Sequence, residues 1–172
     1  MSAGGNNLFA ATVVTYAELS VREVSDLAGR FGLNLKDVAD GERIPGSYWG
    51  EPEAGLIGDS LYCRGDTPAH SVLHEMAHYV CMSARRRAGL HTDAGGSVIE
   101  ECAVCYLQIL VSEYLTGFGR ERAFADMDAW GYSFREGSAA AWFNGDGKDA
   151  RLWLQGNALI ETNDCPAWRV RA

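Results

Sequence analysis

The sequence has no run approaching the ~20 consecutive apolar residues that a membrane-spanning helix needs, so no membrane partner is expected. Basic residues are in deficit: 15 Lys and Arg stand against 23 Asp and Glu, a formal charge of −8. A nucleic-acid binder carries a basic patch against phosphate, so nucleic acid is not an expected partner either. The first eleven residues contain no Lys or Arg and do not read as a secretory leader. The cysteines Cys63, Cys81, Cys102, Cys105 and Cys165 lack the even number and spacing of a disulfide framework. Free thiols in a reducing cytoplasm are the simpler expectation. Internal repeats, low-complexity tracts and linkers are missing too. The 172 residues, 47% apolar and 22% charged, read as one globular domain over 1–172 with residues 1–7 disordered.

Helical signals dominate what is present. The Thr15–Glu18 capping box and an apolar stripe predict a helix from about Tyr16 to Phe31. Leu56-Ile57 and Leu61-Tyr62-Cys63, separated by Gly58-Asp59-Ser60, predict a short hairpin or one interrupted strand. Thr67 as N-cap with Pro68 at the first helical position opens the clearest helix, running to Arg85-Arg86-Arg87 and stopped by Gly89. Ser97-Val-Ile-Glu100 is a second capping box, opening a helix to about Leu115. Further helices are expected near 121–130, 138–143 and 148–159. The class that results is α+β and mainly helical.

One motif carries chemistry. His74-Glu75-Met76-Ala77-His78 is H-E-x-x-H on the best-defined helix. Residues i and i+4 project from one helical face, so both imidazoles can meet a single cation. Glu75, rotated about 100° from His74 on a 3.6-residue helix, flanks that cation and can take a proton from water. His70 is one turn earlier, but three ligands from one straight helix cannot all reach a tetrahedral ion. It reads rather as an exposed first-turn residue, or as a neighbour of the ligands. Cys81 reads as a small core residue.

A third ligand must come from elsewhere. A histidine three residues after a glycine would require Gly at 81 and His at 84, where the sequence has Cys81 and Ala84. A carboxylate from the following helix remains, and Glu100 and Glu101 open that helix. Helical phase places Glu100 with Ala103, Val104, Leu107 and Val111 on an apolar face, and Glu101 with Cys105, Gln108 and Ser112 on a more polar one. A ligand has to point inward, which favours Glu100. A role confined to the capping box is the alternative for Glu100, and Glu101, Asp93 and His91 stay open as ligands. The Cys102-x-x-Cys105 pair lies within a helix and reads as core packing.

The segment from about 67 to 116 resembles the gluzincin-type zinc metallopeptidases, in which H-E-x-x-H is completed by Glu on the next helix. Glu100-Glu101-Cys102-Ala103-Val104-Cys105-Tyr106-Leu107 is similar to the E-x-E-A-N-x-F-A run of the small bacterial metallopeptidases that cleave phage-type repressors. Cys102, Val104 and Met76-Ala77 depart from that pattern. The resemblance implies a zincin-like single domain with a small β region beside the active helix. It also implies zinc held by His74, His78 and Glu100, with Glu75 as the catalytic base. The expected partner is then a peptide or protein substrate, paired by strand addition to an edge strand near Leu61–Cys63. His91, Tyr62 and Tyr132 are candidates for the group that stabilises the oxyanion. A zinc-binding structural or regulatory protein without proteolysis is the alternative reading.

Overall fold

A computed structural model describes residues 13–172. The expected disorder of residues 1–7 lies outside the described residues. The described residues form a small sheet and seven α-helices, in an α+β arrangement that is mainly helical.

The Thr15–Glu18 capping box is present, but it closes only a 3-10 turn, Tyr16–Glu18. Leu19 then returns to extended backbone, and the hydroxyl of Ser20 accepts from the N–H of Glu23 to start α1 (Val21–Arg30). The single helix expected from Tyr16 is therefore two pieces, because Ser20 supplies a second N-cap. After the turn at Gly32 the chain enters β1 (Asn34–Val38), which the sequence reading missed. Its five residues are only half-buried or exposed, so no apolar alternation marked them.

β2 (Gly55–Ile57) and β3 (Ser60–Arg64) form the expected antiparallel hairpin. β1 pairs with β3 in parallel, giving the order β1-β3-β2. β3 is thus the central strand, and the expectation of an open edge at Leu61–Cys63 is corrected: both of its sides are paired. The outer side of β2 is also covered, by bridges from Ser47 to Gly55 and from His91 to Ile57. Gly55 is required there, since a Cβ would stand 1.9 Å from the carbonyl oxygen of Pro45.

α2 (Ala69–Cys81) starts after Pro68 rather than Thr67. The Thr67 hydroxyl instead accepts from the N–H of Arg64 at 3.0 Å, closing the end of β3. The helix stops at Met82, before the three arginines, because Met82 and Ser83 are extended. Arg85–Arg87 fall in a separate turn, α3 (Ala84–Arg87), from which Arg87 donates to the carbonyl of Met82 at 2.6 Å. A cation thus meets the last carbonyls of α2, as helix C-termini favour.

α4 (Val98–Ser112) packs against α2, α5 (Gly119–Trp130) and α7 (Lys148–Gly156), and α6 (Ala139–Asn144) closes on α5. Every residue of α2 is buried except His74, and α4 is apolar or buried on nearly all sides. These two helices form the centre of the core. Among the described residues no helix is long and apolar enough to cross a membrane.

Candidate metal centre

His74 is the one residue of α2 that is not fully buried. The i, i+4 spacing brings its ring to 4.6 Å from that of His78, edge to face. The chain crosses from α2 to α4 through α3 and the 88–97 loop, and there Glu101 completes a group. One ligand atom each from His74, His78 and Glu101 lie within 4.8 Å of one another. Nε2 of His78 is 3.5 Å from Oε2 of Glu101. Atoms held about 2.1 Å from a tetrahedral ion stand about 3.4 Å apart, so the spacing suits a zinc-sized cation.

Glu100 points elsewhere, which corrects the expectation that it faces the histidines. It is buried, as its helical phase required, but its carboxylate meets Arg86 at 2.6 Å and Arg171 at 3.3 Å. Gly96 gives it room: a Cβ there would lie 2.4 Å from Oε1 of Glu100. Ser97 caps α4 through the N–H of Glu100, and the reciprocal half of the box is not made because the Glu100 side chain is engaged by arginine. Glu101 also accepts from the N–H of Gly96 at 2.8 Å through Oε1, leaving Oε2 towards His78.

Behind the ligands stands a residue the sequence reading passed over. Gln108 is fully buried, its Nε2 donates to the carbonyl of His70 at 3.0 Å, and this orients its Oε1 to accept from Nδ1 of His74 at 2.9 Å. With the proton held on Nδ1, His74 keeps the Nε2 lone pair for a cation. The signal was visible: Glu101, Cys105, Gln108 and Ser112 share one face of α4. That face looked solvated because it is polar, yet Gln108 and Ser112 are both buried.

Burial sets the charge states. It lowers the pKa of His74 to about 4, reinforced by His78. His78 likewise falls to about 4, through burial and then the nearby Arg86. Both rings are neutral at physiological pH, the form that binds metal. Glu75 is almost wholly buried, and desolvation, followed by the charges of Glu53 and Glu101, raises its pKa to about 8. Glu53 was also unforeseen. It comes from the loop before β2, accepts from the indole N–H of Trp130 at 2.8 Å, and has its own pKa raised by burial. Three carboxyl groups, Glu53, Glu75 and Glu101, thus interact at this centre, and Glu75 holds its proton at neutral pH while no cation is present.

The remaining candidates separate clearly. Tyr132 stands edge-on to His74 with ring centroids 5.7 Å apart, and its hydroxyl is 3.3 Å from Nδ1 of His70. Burial holds that phenol protonated, far above its ordinary pKa. His70 is buried between Trp130 and Tyr132, which corrects its reading as an exposed first-turn residue. His91 is exposed and faces the Thr92 hydroxyl, Asp93 accepts from the N–H of Gly95, and Tyr62 sits in the sheet opposite Gly55. Cys81 is core, as expected. Cys102 and Cys105 pack partly against the core but also line an open cleft of about 670 Å³ that begins at Glu101. Compared against protein-family models, curated proteins and solved structures, the chain matches none.

Proposed function

We propose that the chain is a zinc-dependent peptidase, and the convergence of His74, His78 and Glu101 beside the buried carboxyl of Glu75 carries this reading. The donor set fits the metal: two neutral imidazoles and one carboxylate, from adjoining helices. Zinc bound there would polarise a carbonyl and make water acidic enough to attack at neutral pH. The chain's own residues supply the rest. Gln108 holds the imidazole of His74 in one tautomer. Glu75 accepts the proton of the attacking water and returns it to the leaving amine. The Tyr132 hydroxyl, kept protonated by burial, is our candidate for the donor that meets negative charge on the scissile carbonyl oxygen. Of the three groups considered for that role, Tyr132 is the one packed against His74.

A purely structural zinc site has no use for a base between its ligands, and substitution of that base separates the two readings. Glu75→Gln keeps the size of the side chain and removes its basicity. In a peptidase it should leave zinc content nearly unchanged and lower turnover of unfolded casein by about 100-fold or more. Undiminished cleavage with zinc still bound would refute the mechanism.

A further inference from the structure

His70 is a buried titratable group that the proposed mechanism leaves unused. It lies one turn before His74 on α2, is 1% exposed, and is enclosed by Trp130 and Tyr132, whose ring centroids are 5.2 and 5.5 Å from its own. Burial lowers its pKa to about 3, so the ring is neutral and carries one N–H and one lone pair. Nδ1 stands 3.3 Å from the Tyr132 hydroxyl, while Nε2 is buried and has no hydrogen-bond partner among the described residues. The two tautomers differ in what they leave unpaired. With the proton on Nε2, a buried N–H lacks an acceptor and Nδ1 takes the proton of Tyr132. With the proton on Nδ1, only a lone pair is unpaired and the Tyr132 oxygen is the acceptor. Buried N–H groups without an acceptor are the rarer defect, because the donor's whole desolvation cost goes uncompensated.

We infer that His70 is a positioning residue for Tyr132: it keeps its proton on Nδ1 and donates to the phenol oxygen, so that the Tyr132 proton stays available to negative charge developing at the metal centre. The neighbouring ring fits this division of roles. Nδ1 of His74 is already bonded to Gln108, so Tyr132, which meets His74 edge-on, finds no lone pair there for its proton. Accepting a bond from His70 also polarises the phenol and makes its O–H the stronger donor. The inference rests on the peptidase reading for the use of that proton, but not for the tautomer or the hydrogen bond, so the two can fail separately.

The tautomer can be read without any substrate. Long-range proton–nitrogen correlation spectra of isotope-labelled, zinc-loaded protein distinguish the protonated from the bare nitrogen of each imidazole, and the His70→Asn spectrum identifies the His70 signals. His70 should carry its proton on Nδ1, and Tyr132→Phe, which removes the acceptor, should abolish that preference. A proton on Nε2 of His70, or the same tautomer in Tyr132→Phe, overturns the inference. Turnover of unfolded casein then separates positioning from packing. His70→Leu should lower kcat about 10-fold, the scale of one oriented hydrogen bond, with KM and zinc content nearly unchanged. His70→Asn, whose amide N–H can stand in for Nδ1–H, should recover most of that loss. Added to Tyr132→Phe, His70→Leu should cost nothing further, since the two residues act as one unit. Equal turnover by the Asn and Leu variants would make His70 a packing residue and overturn the inference. The wild-type spectrum and His70→Asn carry the test even where His70→Leu does not fold. Absence of cleavage by wild type, with Nδ1 of His70 protonated, would remove the peptidase reading and leave the hydrogen bond standing.

Discussion

Glu100 and Glu101 are neighbours in sequence, yet a rotation of about 100° along α4 gives them different chemistry. Glu101 is half-buried beside His78, and Glu100 is buried between two arginines. Glu101→Gln should therefore weaken zinc binding by about 10-fold or more, as titration with a competing chelator would show. Glu100→Gln should act on stability instead. It strips the charge from a carboxylate facing Arg86 and Arg171 and should cost about 1–3 kcal/mol in denaturant unfolding, with the affinity for zinc reduced far less. The opposite pattern would return the ligand role to Glu100. Titration gives a second expectation at this scale. In the metal-free protein Glu75 is protonated up to about pH 8, against an ordinary pKa near 4.5. Its contribution to stability is complete below about pH 4.5 and is lost as the pH rises through about 8. His74 and His78 act in the other direction. Their folded pKa values, about 4, lie below the unfolded 6.5, so their contribution is present above about pH 6.5 and lost as the pH falls through about 4. Chemical denaturation of metal-free protein between pH 4 and 9 should show both limbs. Glu75→Gln should abolish the alkaline limb and leave the acid limb in place.

The elements around the site show what the sequence could and could not reveal. H-E-x-x-H was legible because its period matches the helix and because Pro68 marks the start of α2. The stop at Met82 and Ser83 was read too late, at Gly89, since both are extended without a Gly or Pro to signal it. The place of Glu101 beside the two histidines was not legible, for a physical reason. Choosing a face by polarity assumes one buried and one solvated side, whereas α4 is enclosed by α2, α5 and α7. On such a helix polar residues mark functional contacts with other elements rather than solvent, as Gln108 and Ser112 do. β1 escaped because it is half-exposed and is held by its ladder to β3, a long-range pairing that no local pattern encodes. Glu53 escaped because a loop carries no periodicity, and only folding brings it to Trp130 and Glu75. Gln108 is the element-scale test of the site, since it ties α4 to α2 through His70 and His74 at once. Gln108→Leu keeps the volume but frees the Nδ1 proton of His74. Zinc affinity should fall about 10- to 100-fold, the usual consequence of losing such a partner. A full loss of folding, read by circular dichroism of the metal-free variant, would show instead that the residue acts mainly in the core.

At the scale of the whole molecule, the site joins parts of the chain that are far apart in sequence. α2 supplies the imidazoles, α4 the carboxylate and Gln108, the loop before β2 supplies Glu53, and the segment after α5 supplies Tyr132. The C-terminal residues also reach the centre, where Arg171 donates to Cys81 and Glu100 and accepts from Arg87 through its carbonyl. A cation at the meeting point would bind the folded chain and find no equivalent site in the unfolded one, where His74, His78 and Glu101 are unrestrained. Its effect on stability follows from mass action: at a free zinc concentration 100 times the dissociation constant the gain is about 2.7 kcal/mol. For a domain of this size that corresponds to a rise in Tm of about 5–10 °C. Scanning calorimetry should show such a rise on adding zinc and its reversal by chelator. Glu75→Gln should retain the shift, because it keeps all three ligands, and His74→Ala with His78→Ala should lose it. The same shift in the double variant would place the zinc elsewhere in the molecule and end the assignment of this centre.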